Sequence, residues 1–306
     1  MVKVCLCGLE IFPIGFLMNI AAQPSTTSPA KGLSAVYQLR LPPRFTVWEA
    51  AIASIKDSKL RVSALVEVAY KDPVLVIELL KAAGSVLYSG DKSSVVTVKG
   101  AIERLGAEGA AKSCELTLST ASPILDNQVS EWFEVFRKKS VKVGTVARML
   151  AEVLAPTLVE DCQLAGELVH VGNMLAVLHF GEAYVKMAAD ANYTKVLYRL
   201  EKDHQFNVET VGVNYLRKNG IPELVLFAID EKATVKAPAR TIMKPLIAAA
   251  TELVQAFDDE KLDKLAPGAT IPVKSAIRIL KISDAQYATV YERVSNYLKA
   301  TVPTPV

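Results

Sequence analysis

Apolar residues recur along this chain at helical spacing. Phe45, Trp48, Ile52 and Ile55 share one helical face, and Thr46-Val47-Trp48-Glu49 has the spacing of a capping box. Asp72-Pro73 sets a side-chain acceptor before a proline at the first helical position, and Leu75, Leu79 and Leu80 follow. That helix stops in Ala82-Ala83-Gly84-Ser85. Thr97 to Leu105 predicts a short helix closed by Gly106. Asp126 opens a longer helical region carrying Trp132, Phe133, Phe136, Val143, Val146 and Leu150, and Pro156 ends it. Residues 158–178 are strongly apolar, with Leu164, Leu168, Met174, Leu175 and Leu178, and predict one helix at the centre of a domain. Asn207 caps a helix through Val208, Val211, Tyr215 and Leu216 that stops at Gly220 and Pro222. Residues 223–232, 240–257 and 283–299 are also helical, the last opened by Ser283-Asp284. Only Ser94 to Val98 is briefly strand-like, and no repeat of about 20–50 residues is visible. The fold class is all-α.

Composition agrees with packed helices. Hydrophobic residues make up 51% of the 306 and aromatics only 7%, a balance that suits helical packing better than a β-sandwich. The net charge is +3, from 35 basic and 32 acidic residues that are interspersed, so nothing resembles a nucleic-acid footprint. The four cysteines, Cys5, Cys7, Cys114 and Cys162, read as buried or unused thiols; no second Cys or His pair has zinc-ligand spacing.

The first residues admit three readings. Val4 to Ala22 is apolar apart from Glu10 and Asn19, and the tract Gln23 to Pro29 is rich in Pro, Ser and Thr, as after a weak signal peptide or anchor. Glu10 and Pro13 interrupt that stretch, which favours a cytoplasmic protein with a poorly ordered leader and linker over residues 1–38, of which residues 1–30 add little to the fold. Met18 as the true start is the third reading.

Catalytic patterns are sparse. Gly-x-Ser-x-Gly, Walker-type and dinucleotide glycine motifs are absent. His170 and His179 stand nine residues apart, on opposite faces of one straight helix. Glu167-Leu168-Val169-His170 and Glu201-Lys202-Asp203-His204 are two Glu-x-x-His pairs, half of a di-iron site, for which Glu103 and Glu134 are loosely placed further ligands. The polar surroundings of His204 favour structural or surface histidines instead. The polar turn from Gly84 to Asp91, with Tyr88 inside it, reads as a helix connection, or as part of a partner surface.

The run from Cys162 to Gly172 is framed like the metal-binding helix of the HD hydrolases, where Ala-Gly-Leu-Leu-His-Asp-Ile-Gly is usual. Around it, Leu41-Pro42-Pro43, Lys71-Asp72-Pro73-Val74-Leu75, Leu79 to Ser85, Val98 to Gly106, Ser140 to Glu152 and Asn207 to Glu223 occur in an order that resembles the HD-related output domain, HDOD, of bacterial signalling proteins. The match spans about residues 40–235. It implies an HD-like helical bundle over 39–235, with residues 236–306 as a helical extension packed on it or docking another protein. That extension is apolar along Ile242, Leu246, Ala249, Leu253 and Phe257, then along Tyr287, Val290, Val294 and Leu298.

Carried across residue by residue, the HD metal-ligand positions fall on Lys139, Val169-His170, Val208 and, near a helix end, Lys232. Only His170 could coordinate a metal, and one imidazole does not hold a catalytic ion. The resemblance therefore implies no metal, no cofactor and no catalysis, but a regulatory module whose partners are signalling proteins. Two alternatives stay open: a metal-dependent phosphohydrolase or phosphodiesterase, and a sensor that binds an anionic ligand between Lys139 and Lys232. Against the sensor, both lysines could reach solvent while Val169 and Val208 fill the pocket.

Overall fold

Short polar caps punctuate the apolar stretches and set where each helix begins. A computed structural model describes residues 34–56, 62–85, 97–230, 232–233 and 240–301. Among them are fourteen α-helices: α1 (Phe45–Lys56), α2 (Val62–Ala69), α3 (Pro73–Ala83), α4 (Val98–Thr120), α5 (Asn127–Leu154), α6 (Val159–Leu168), α7 (Val171–Phe180), α8 (Glu182–Ala189), α9 (Tyr193–His204), α10 (Val208–Lys218), α11 (Glu223–Ile229), α12 (Met243–Asp258), α13 (Ala276–Ile279) and α14 (Asp284–Ala300). No strand occurs among the described residues. Residues 1–33 of the leader, Cys5, Cys7, Tyr88 and Ser94 to Val96 lie outside them, whereas Val36, within the leader's expected bounds, is fully buried in the core.

The caps act through the predicted residues. Asp72 accepts from the Val74 amide, Asp126 from Val129, Asn207 from Thr210, and Ser283 forms a capping box with Gln286. Other boundaries differ from the expected ones. Helix α1 starts at Phe45, so Thr46 lies inside its first turn instead of capping it. Gly106 breaks the helical geometry at φ 64°, but the chain resumes at once and continues to Thr120. The expected single helix over 158–178 is two, α6 and α7, broken at Val169-His170. Helix α11 stops at Ile229, where the Asp230 carboxylate accepts from the Lys232 amide and turns the chain, so Lys232 follows the helix.

Helix α5 is the spine of the bundle, with α6 along one side and α12 and α14 packed against it. Its contact with α6 is close because glycines face each other: a Cβ on Gly166 would sit 2.9 Å from the Gly144 Cα. Helices α7 and α10 meet still more tightly, and a Cβ on Gly172 would lie 1.7 Å from the Val208 carbonyl oxygen. Leu164, Leu168, Met174 and Leu175 are buried at this centre and Leu178 half-buried. The C-terminal helices share the same core, with Leu246, Leu253, Val290 and Leu298 fully enclosed.

Candidate functional site

The break between α6 and α7 places His170 in the core beside α5. Its carbonyl accepts from the Met174 amide and starts α7. The ring is buried, 6.1 Å from the ring of Phe136. Its Nδ1 lies 3.2 Å from the Asn173 amide nitrogen, and the Asn173 Oδ1 accepts from the Tyr193 hydroxyl at 2.9 Å. Because that hydroxyl occupies the amide oxygen, Asn173 donates to Nδ1, which leaves the proton of the neutral ring on Nε2. Nε2 has no hydrogen-bond partner. Burial first, then the charge of Lys139, pushes the imidazole down to about 3, so it is neutral at physiological pH.

Lys139 is the one buried lysine among the described residues, and α12 explains how it is tolerated. Its ammonium donates to the Gln255 side chain, pairs with Asp258 Oδ2 at 3.4 Å and lies 5.6 Å from the centre of the Tyr193 ring. Lys142, one turn on, takes the other Asp258 oxygen at 3.1 Å. The carboxylate at the end of α12 thus neutralises the cation at the first expected ligand position.

Lys139 and His170 therefore belong to one cluster, through Tyr193 and Asn173. Val169 is half-buried against the core, and Val208 is half-buried at the start of α10 with its carbonyl against Gly172. Lys232 is exposed in the turn after α11 and joins no described contact of this cluster. A divalent metal does not fit these residues. A cation already bound to a carboxylate stands at one of the positions the resemblance implies, valines at two others, and a lone imidazole remains.

Two further buried groups sit nearby. Glu167 is 1% exposed on α6, with Oε2 in the space that the missing Gly144 side chain leaves. Its Oε1 has no partner, and burial, with the nearby Asp72 charge, holds its carboxyl well above the usual range. Asp72 ties the start of α3 to α1 and α5. Its Oδ1 caps Val74, while Oδ2 accepts from the Arg44 amide (2.8 Å), Trp48 Nε1 (2.8 Å) and Arg137 Nη1 (3.1 Å). Arg137 also donates to the Pro42 carbonyl, and its Nε faces Glu134 at 3.0 Å in a misaligned ion pair that makes no hydrogen bond.

The expected Glu-x-x-His residues separate in space by environment. Glu167 and His170 are buried, whereas Glu201 and His204 are exposed, Glu201 accepting from Asn207 and His204 lying against Phe180. Cys114 and Cys162 are buried free thiols, each pushed up to about 12 by burial. Asn173, Tyr193, Gln255 and Asp258 were not singled out in the sequence. Asn173 carried a signal, three residues after His170 on a helix, but Gln255 and Asp258 carried none.

Known proteins of similar fold bear on these observations. The crystal structure of the MmoQ response regulator from Methylococcus capsulatus superposes with a TM-score of 0.66 at 14% identity, covering 83% of this chain and 99% of that one. A virulence factor from Campylobacter jejuni superposes with a TM-score of 0.55, also at 14% identity, over 85% of this chain and 99% of its own. At such identity the likeness is one of fold. No curated protein sequence matches significantly. The family model of the HDOD domain matches residues 41–235, more than half of the chain and the whole of the α1–α11 bundle, and the chain belongs to the HDOD domain family.

Proposed function

We propose that this chain is a non-enzymatic regulatory module of bacterial signalling that acts by binding another protein. The observation that carries the reading is the Lys139–Asp258 pair at 3.4 Å. By the HD resemblance, this buried ammonium, neutralised by Asp258 of α12, stands where catalysis by HD relatives needs a metal ligand. Val169 and Val208 supply no donor to replace it. MmoQ, of like fold, is a response regulator, and signalling is the setting we infer here. Among the described residues no helix is long and apolar enough to cross a membrane.

The same pair weighs against a sensor that holds an anion at the degenerate pocket. Asp258 already fills the anionic place beside Lys139, and Lys232 is exposed after α11. A competing phosphate would have to displace a carboxylate shared by two lysines.

The test has two arms on the native protein. Elemental analysis and hydrolysis of phosphomonoesters and phosphodiesters with added manganese, magnesium or iron should give no stoichiometric metal and no turnover. Capture from the native cell, followed by reconstitution with the purified partner, should give a complex of fixed stoichiometry. Stoichiometric metal with turnover abolished by His170→Ala overturns the proposal.

A further inference from the structure

A separate cleft lies beside the Arg137–Lys142 segment of α5. It has a volume of about 440 Å³ and is walled by the start of α1, the α2–α3 connection, α5 and the end of α14. Five cationic side chains line it and no carboxylate does: Arg44, Lys71, Arg137, Lys138 and Lys142. Two are already balanced, Arg137 by Asp72 and Lys142 by Asp258. Arg44, Lys71 and Lys138 have no acidic partner among the described residues.

Three uncompensated cations around one concavity are notable in a chain whose whole net charge is +3. They come from segments far apart in sequence, so the fold, not a local run of lysines, assembles them. Like charges gathered around one concavity repel one another, and a bound anion relieves that repulsion. Arg137 adds a rigid element. It is 2% exposed, locked by Asp72 and Pro42, and its Nε makes no hydrogen bond.

The rest of the wall is not phosphate chemistry alone. Val47, Val68, Val141 and the half-buried ring of Tyr297 give one side an apolar and aromatic surface, with the hydroxyls of Thr46 and Thr301 beside it. A hollow of this volume has the size of a small-molecule site and exceeds what a lone phosphate fills. We infer that the cleft binds a phosphorylated small molecule carrying a planar ring, of the size of a nucleotide: phosphates toward Arg44, Lys71 and Lys138, the ring against Tyr297. The cleft is lined by side chains other than those of the degenerate pocket, to which it is linked through Lys142 and the Asp258 carboxylate it shares with Lys139. Because Tyr297 belongs to α14 and Thr301 caps its end, the ligand bridges the C-terminal helix to the bundle.

Titration calorimetry on the full chain tests this with three probes: ATP, inorganic tripolyphosphate and adenosine. ATP should bind, tripolyphosphate more weakly, and adenosine not at all. Lys71→Ala combined with Lys138→Ala, both exposed and free of structural partners, should weaken ATP by about tenfold or more. Lys186→Ala on α8, paired with Glu182 outside the cleft, should change nothing. Binding should also weaken as salt rises from about 50 to about 300 mM. No binding of ATP or tripolyphosphate at about 1 mM, a level where only very weak sites stay empty, overturns the inference. So does equal ATP affinity in the double variant, or adenosine binding as tightly as ATP. Binding of an acidic peptide in place of both phosphates also overturns it, and makes the cleft a protein-docking surface.

Discussion

Replacing Asp72 by alanine isolates the interaction that joins α1 and α3 to the spine. The carboxylate is 0% exposed and takes four donors, three of them on Oδ2. Removal leaves Arg137, 2% exposed, with only the misaligned and partly exposed Glu134 as counter-charge, and leaves the Trp48 indole and two backbone amides short of an acceptor. Breaking a buried ion pair from one side costs about 3–5 kcal/mol; the lost α3 cap, worth about 1 kcal/mol alone, lies largely within that figure because the same group is lost. We expect about 4 kcal/mol, read as a fall in the urea midpoint at unchanged slope. Trp48 reports locally, since its indole nitrogen donates to the missing carboxylate. Asp72→Asn should be nearly as costly. An amide nitrogen at Oδ2 meets three donors, and the flipped amide loses the cap. The double variant Asp72→Ala, Arg137→Met removes the orphaned charge, so its loss should fall short of the sum of the single losses by about 2 kcal/mol or more. A loss under about 1 kcal/mol for Asp72→Ala, or strict additivity, would refute the view that burial makes this pair matter.

Other perturbations follow from the seams of the bundle. Gly172→Ala should destabilise by about 3 kcal/mol or prevent folding, because the new methyl meets the Val208 backbone, which cannot rotate away; circular dichroism melts check it. Glu167 has a folded pKa raised well above 4.5, so its contribution to stability is complete below 4.5 and is lost as pH rises through the folded value. Glu167→Gln should therefore melt higher than the native protein at about pH 8, with the gap closing toward about pH 5; a lower melting temperature at pH 8 contradicts it. His170 is pushed down to about 3, so its contribution is complete above the ordinary 6.5 and is lost as pH falls from there toward 3. Its ring proton signals in NMR should not move between about pH 5 and about pH 8, and Lys139→Met should raise its pKa without carrying it to 6.5, since burial is the larger cause.

Periodicity and capping made the helices legible, and where they misled, a backbone detail was responsible. The run 158–178 reads as one helix because apolar residues continue through it, and apolarity does not report a break in backbone direction. The break at Val169-His170 turns α7 toward α10, where the Gly172 approach holds it. Lys232 was placed near a helix end, but an Asx turn at Asp230 ended the helix earlier and left the side chain exposed. The caps at Asp72, Asn207 and Ser283 were readable because each acts within three residues. The same Asp72 also bonds Arg137, 65 residues away, and no local spacing announces that. Likewise the resemblance led to Lys139 and His170, while their partners Tyr193, Gln255 and Asp258 come from helices whose relation to α5 only the packed structure supplies.

The C-terminal extension and the residue at position 139 are energetically one feature. A lysine buried between α5 and its neighbours costs several kcal/mol if left unpaired, and it would shed its proton or expose itself instead. Asp258 lies at the last residue of α12, where helix-dipole logic disfavours an acidic group. That cost is offset only because Lys139 and Lys142 both reach its two oxygens. Each side of the contact is thus unfavourable alone and favourable together, which couples the docking of α12 to the chemistry of the pocket. A histidine at position 139 holding a metal would leave Asp258 with one lysine and a helix end that repels it. Under the proposed function, the packed extension and a metal centre at position 139 would compete for the same few side chains, of which Lys139 and Lys142 here pair with Asp258.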